Sequence, residues 1–195
     1  MQSIGTVAVY CASSRQSDPA FPAAARRVGT LLAESGIAIV YGGGAVGSMG
    51  ALADGALASG GRITGVLPRF MADLEWGHPR LSELKLVSDM HERKRTMIES
   101  ADAVLALPGG CGTLEELLEA ITWKRLGLYG GPVVILNQSG FFDPLVAMLD
   151  RCVAERFMDP RHGSMWTVVG TAEGVIPALE NASPWDDDPR RFAVP

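Results

Sequence analysis

The chain has 195 residues, 47% of them hydrophobic and 20% charged, which is the profile of one ordinary soluble globular domain with a sizeable core. A formal net charge of -5 with scattered basic residues excludes an extended patch able to neutralise a run of nucleic-acid phosphates, so any anion must be bound locally. The three cysteines, Cys11, Cys111 and Cys152, are widely spaced with no C-x-x-C pair, which argues against a disulfide framework and a zinc site.

In chain order, apolar runs of strand length fall at residues 6–10, 38–41, 63–67, 84–87, 103–107, 133–136 and 166–169. They are rich in Val, Ile and Leu on both faces, as strands covered by helices on two sides should be. Between them, helical periodicity spans 21–34, 49–58, 91–100, 113–126, 142–155 and 172–179. This alternation predicts an α/β fold: a doubly wound, mostly parallel sheet of about seven strands with helices on both faces, a Rossmann-like nucleotide-binding architecture. Residues 1–181 are expected to form that single domain. Residues 182–195, polar and acidic, are expected to form a loosely held tail. The N-terminal MQSIGTVAVYCASS lacks a basic segment followed by a long apolar one, and no run approaches the roughly 18 residues of a membrane span, so a cytoplasmic protein is expected.

In such a sheet, ligands bind beyond the carboxyl ends of the strands, where loops lead into helices. Three of those loops are unusual: CASSRQSDPAF after the first strand, YGGGAVGSMG after the second and PGGCGT after the fifth. Between residues 68 and 82 the pattern lapses into RFMADLEWGHPRLS, long enough to cross the mouth of a site.

Glycine tolerates positive φ and has no side chain, so a glycine loop can bring several N–H groups around one anion, and a following helix N-terminus adds its dipole. In LPGGCGTLEE, Thr113 is placed to cap a helix with Glu116 in its first turn. Taken alone, this stretch reads equally well as a capping box on a tight turn. The second cluster, Gly42, Gly43, Gly44, Gly47 and Gly50, opens on the same edge and favours an anion site. Neither loop has the G-K-[ST] of a P-loop or the spacing of a dinucleotide fingerprint, so a mononucleotide or sugar phosphate fits better.

Upstream, SDMHERKRTM places Ser88 or Asp89 as a cap, with Arg93 and Lys94 in the first turns. A basic pair there opposes the helix dipole, which suggests a purpose beyond the helix itself. Cleaving an N-glycosidic bond builds positive charge on the sugar. It therefore calls for a carboxylate to stabilise that charge and orient water, a cationic donor for the leaving base, and a phosphate cradle. Glu116, Arg93 and the glycine loops supply these on one expected edge.

With those residues in view, PGGCGTLEE resembles the P-G-G-x-G-T-x-x-E signature of the Lonely Guy family, and MHERK its M-H-x-R-K companion. VYCASSRQSDPAF, YGGGAVGSMG and ELLEAITWKRLGLYGGPVVILN are similar to the same family, so the resemblance covers most of the chain. It implies a cytokinin riboside 5'-monophosphate phosphoribohydrolase that releases an adenine-type base and ribose 5-phosphate, with activity on AMP as well. It further implies a homodimer without metal or organic cofactor. Arg93 and Glu116 would be the catalytic pair, with Lys94 beside the substrate. Gly109, Gly110, Gly112 and Thr113 would hold the phosphate, helped by Gly43, Gly44 and Gly47, and Glu75 and Thr122 would line the pocket. A non-catalytic nucleotide-binding module on the same scaffold is the alternative. Such proteins have also been labelled lysine decarboxylases, but Lys85, Lys94 and Lys124 are the only lysines, and none stands in a convincing Schiff-base setting.

Overall fold

The computed structural model describes residues 4–74, 77–186 and 188–193. Its strands are β1 (Thr6–Tyr10), β2 (Ala38–Tyr41), β3 (Ile63–Pro68), β4 (Glu83–Val87), β5 (Ala103–Ala106), β6 (Val133–Leu136) and β7 (Thr167–Val169). The helices are α1 (Ala20–Glu34), α2 (Gly47–Ala58), α3 (Arg69–Ala72), α4 (Met90–Glu99), α5 (Cys111–Arg125), α6 (Asp143–Ala154) and α7 (Val175–Glu180).

The strands form one seven-stranded sheet in the order β4-β3-β2-β1-β5-β6-β7. The sheet is wholly parallel among the described strands, rather than mostly so. The chain winds outward from β1 to β4, then returns to the other side of β1 as β5, with Val7 opposite Ala103 and Tyr10 opposite Ala106. The crevice at the carboxyl ends of β1 and β5 is therefore the topological switch point, where α/β sheets bind ligands.

The alternation of side chains along β1 divides the core. Val7 and Val9 pack with Val28 and Leu32 of α1, Leu52 of α2 and Leu179 of α7. Ala8 and Tyr10 face the opposite layer, with Met97 of α4, Leu117 and Ile121 of α5, and Leu149 of α6. The edge strand β4 departs from the expected two-sided burial: Leu84 and Leu86 are 43% and 42% exposed. Among the described residues, no strand lies beyond it in the sheet.

The stretch 68–82 includes the one-turn α3 and an isolated antiparallel bridge between Gly77 and Gly44. The C-terminal segment, expected to be loose, is packed at its described residues. Trp185 Nε1 donates to Lys124 O at 2.9 Å, Arg125 Nε to Ala193 O at 2.8 Å, and Phe192 is buried against His162. Polar average composition hid two aromatic anchors, the buried Phe192 and the partly buried Trp185.

Candidate active site

At the switch point a cavity of about 680 Å³ opens between the loops that follow β1, β2 and β5 and the first turns of α4 and α5. That volume suits a small-molecule ligand of nucleotide size. Arg93, Glu116, Gly44, Gly110, Gly112 and Thr113, all expected site residues, line it.

Arg93 is the fourth residue of α4, a helix capped by Asp89, whose carboxylate accepts from His91 N and Glu92 N at 2.8 Å each. Although only 7% exposed, its guanidinium is satisfied by backbone: Nε donates to Val66 O at 3.1 Å and Nη2 to Gly42 O at 2.9 Å. A buried cation persists only with such partners. A β-carbon at Gly42 would overlap Arg93 Nη2, so a larger residue there would push the guanidinium out of this position. The residue after β2 and the end of β3 thus aim one planar group into the cavity.

Glu116 is the sixth residue of α5 and lies past the first turn. The helix begins at Cys111, earlier than the expected Thr113, with extended Gly110 at its N-cap and no side-chain cap, so the capping box does not form. Its first intrahelical bond is Leu114 N to Gly110 O, which leaves the N–H groups of Cys111, Gly112 and Thr113 outside the helical ladder at the cavity mouth. A 15-residue helix ending in free donors is a ready anion site. Beta-carbons at Gly110 and Gly112 would meet nothing within 4 Å, so open space lies beside both. Gly109 serves differently: it leaves room for the hydroxyl of buried Thr113 to fold back over it.

Burial pushes the Glu116 carboxyl up from the ordinary 4.5 to about 7. The positive charges of Arg93 and Lys94 hold it down, while Glu115 and Glu119 add to the rise. A 5% exposed carboxyl that changes charge near neutrality, beside a fixed guanidinium, is the arrangement an acid-base or charge-stabilising site requires.

The other expected residues divide. Gly43 and Gly47 have φ of 79° and 61° and shape the second loop from behind; Gly47 lets it pass against the backbone of Ser13 and Ser14. Lys94 turns away from the cavity toward α5, with Nζ 2.6 Å from Glu115 Oε1 and 3.4 Å from Glu119 Oε2. Thr122 lies on the outer face of α5, where its hydroxyl donates to Leu118 O at 2.8 Å. Glu75 lies outside the described residues.

Several lining residues had no role assigned from sequence. Ser13, Ser14 and Arg15 come from the first loop, noticed as unusual but not resolved into contacts. Met49, Leu67, Met71 and Met90 make an apolar side to the cavity. In the sequence Leu67 ends a strand-length apolar run, Met71 lies in the irregular stretch 68–82, and Met49 and Met90 sit in stretches singled out for their glycines and charges. Of the three lysines, none lines the cavity: Lys94 is paired, Lys124 donates to Gly131 O at 2.8 Å, and Lys85 borders a separate cleft at the amino ends of the strands. No lysine is placed to form a Schiff base there.

Residues 49–179 match the family described as "Possible lysine decarboxylase". The cytokinin riboside 5'-monophosphate phosphoribohydrolase LOG7 of Arabidopsis thaliana is 38% identical over 97% of this chain and 92% of its own. The enzyme of the same description from Rhodococcoides fascians is 41% identical over 90% and 89%. Among solved structures, the molybdenum cofactor binding protein of Rippkaea orientalis superposes with a TM-score of 0.71 at 22% identity, covering 92% of this chain and 98% of that one, which establishes the shared fold. With the glycine-cradled helix and its arginine-glutamate pair in place, the chain belongs to the Lonely Guy family, whose curated members are cytokinin riboside 5'-monophosphate phosphoribohydrolases.

Proposed function

We propose that the protein hydrolyses the N-glycosidic bond of cytokinin riboside 5'-monophosphates, and of AMP, to release the free base and ribose 5-phosphate. The observation that carries this reading is the buried pair of Arg93 and Glu116 lining one cavity with the open N-terminus of α5.

The 5'-phosphate sits at the free N–H groups of residues 111–113 and the Thr113 hydroxyl, which fixes the sugar relative to Glu116. As the bond between C1' and the base nitrogen breaks, its electron pair leaves with the base and C1' becomes oxocarbenium-like. The Glu116 carboxylate stabilises that charge and orients the attacking water, accepting its proton as the new C–O bond forms. Arg93 donates hydrogen bonds and supports the electron-rich leaving base, which takes up a proton from solvent. The apolar side formed by Met49, Leu67, Met71 and Met90 favours a substrate with an apolar N6 group over AMP.

A homodimer fits the outer face of α5, where Thr122 and the 39% exposed Leu118 lie beside Glu115 and Glu119. Thr122 would then serve a site completed by a second copy. No helix among the described residues is long and apolar enough to cross a membrane, and a cytoplasmic location is part of the same reading.

Chromatography of products from AMP and N6-isopentenyl-AMP tests the proposal, with Glu116→Ala as control. Base and ribose 5-phosphate from wild type alone support it, and faster release from the isopentenyl substrate supports the preference. Intact nucleotide in every reaction would leave a binding module.

A further inference from the structure

The second glycine loop, residues 42–47, is held from outside the cavity as well as from within. His78 N donates to Gly43 O at 2.9 Å, and Gly77 bridges Gly44. The His78 ring is 8% exposed and engaged at both nitrogens. Arg80 N donates to Nδ1 at 3.3 Å, and because a backbone N–H can only donate, Nδ1 must carry its lone pair. The ring hydrogen then sits on Nε2, 3.4 Å from Asp54 Oδ1.

Asp54 belongs to α2 and is itself tied down. It accepts from Arg26 Nη2 at 3.1 Å and Arg80 Nη2 at 2.7 Å. Partial burial pushes its carboxyl up, but the hydrogen bonds of His78 and Arg26 prevail and hold it below the usual value. On the cavity side of the same loop, Gly42 O receives Arg93 Nη2 at 2.9 Å. Contacts therefore run without a gap from Asp54 through His78, Gly43 and Gly42 to Arg93. A glycine run is intrinsically pliant, so a carbonyl within it can aim a guanidinium only if the run is clamped elsewhere.

We propose that His78, oriented by Asp54, is a positioning residue that fixes the 42–44 backbone and thereby the guanidinium of Arg93 in the cavity it shares with Glu116. The proposal rests on the reading above that Arg93 and Glu116 are the reacting pair. It gives residues 77–80 a function: a strut behind the site.

The test uses the full chain with His78→Leu, Asp54→Ala and the conservative His78→Gln, which keeps an N–H for Asp54. Arg27→Ala, which breaks only the exposed pair with Glu173, is the control. Two readouts are taken: kcat/KM against pH, and the Glu116 carboxyl titration followed by carbon NMR without substrate. The groups acting on Glu116 are Arg93, Lys94, Glu115 and Glu119, so a displaced Arg93 must move that titration upward.

Expected for His78→Leu and Asp54→Ala are a fall of about 10- to 100-fold in kcat/KM at pH 7 and a higher Glu116 midpoint, with His78→Gln close to wild type. If His78→Leu fails to fold, Asp54→Ala, which removes no backbone bond, decides. Unmoved titration and unchanged kcat/KM in the folded variants would overturn the proposal. An inactive wild type would instead sink the hydrolase reading, and the NMR titration would still judge the strut.

Discussion

Arg93 and Lys94 are consecutive on α4 yet serve different walls of the site: Arg93 Nη2 donates to Gly42 O at 2.9 Å, while Lys94 Nζ lies 2.6 Å from Glu115 Oε1 on α5. The hydrogen bond that Lys94 donates to Glu115 raises the Lys94 pKa, so the ammonium stays charged across the working range. Its charge is one of the two that hold Glu116 down. Lys94→Met should therefore raise the Glu116 midpoint above about 7 and lower turnover at pH 7, with recovery at pH 9. A pH–rate profile checks this. A rise in KM at every pH, with the midpoint unmoved, would mean that Lys94 contacts the phosphate instead.

Arg93→Lys keeps the charge but should not keep the activity. The guanidinium serves Val66 O and Gly42 O with separate nitrogens, and a single ammonium cannot reproduce that planar geometry. We expect kcat to fall by about 100-fold or more, the usual scale for losing an oriented transition-state donor. Steady-state kinetics beside a melting curve would separate this from unfolding.

Glu116→Gln should abolish turnover and stabilise the fold. The native carboxyl titrates at about 7 against an ordinary 4.5, so the folded state holds its proton more tightly than the unfolded state. Wild-type stability therefore falls as pH rises from about 4.5 to about 7 and is flat above. The gap corresponds to up to about 3 kcal/mol. Urea melts at pH 4, 6 and 8 should show the variant's advantage absent at the lowest pH and largest at the highest. A constant difference would mean that the carboxyl is not desolvated as its 5% exposure implies.

Much of this was readable in the chain because the physics is local. Strand-length apolar runs separated by helical periods gave the sheet, and the two glycine loops had to open where parallel strands end. What escaped was set by backbone conformation at single residues or by distant contacts. The start of α5 at Cys111 depends on Gly110 being extended, which propensity at Thr113 does not reveal. The partner of Lys94 lies 21 residues away on another helix, and the strut through His78 joins segments 24 residues apart. Met49, Met71 and Met90 fall in three separate stretches of the chain, and only the fold brings them to one cavity.

The C-terminal segment makes the last test. Phe192 is 3% exposed, with the Arg161 guanidinium carbon 3.8 Å from its ring centroid and the His162 and Trp185 rings at 5.4 and 6.0 Å. Trp185 caps the carbonyl of Lys124 near the end of α5, a helix whose other end forms the anion site. Phe192→Ala should cost about 3 kcal/mol, the scale for emptying a buried aromatic site. Because residues 116 and 124 are about 12 Å apart along the helix, the loss should appear in stability and not in the chemistry of folded protein. Melting midpoint and kcat measured well below that midpoint decide between a packed segment and a loose one: an unchanged melting curve would mean the tail contributes no net stability.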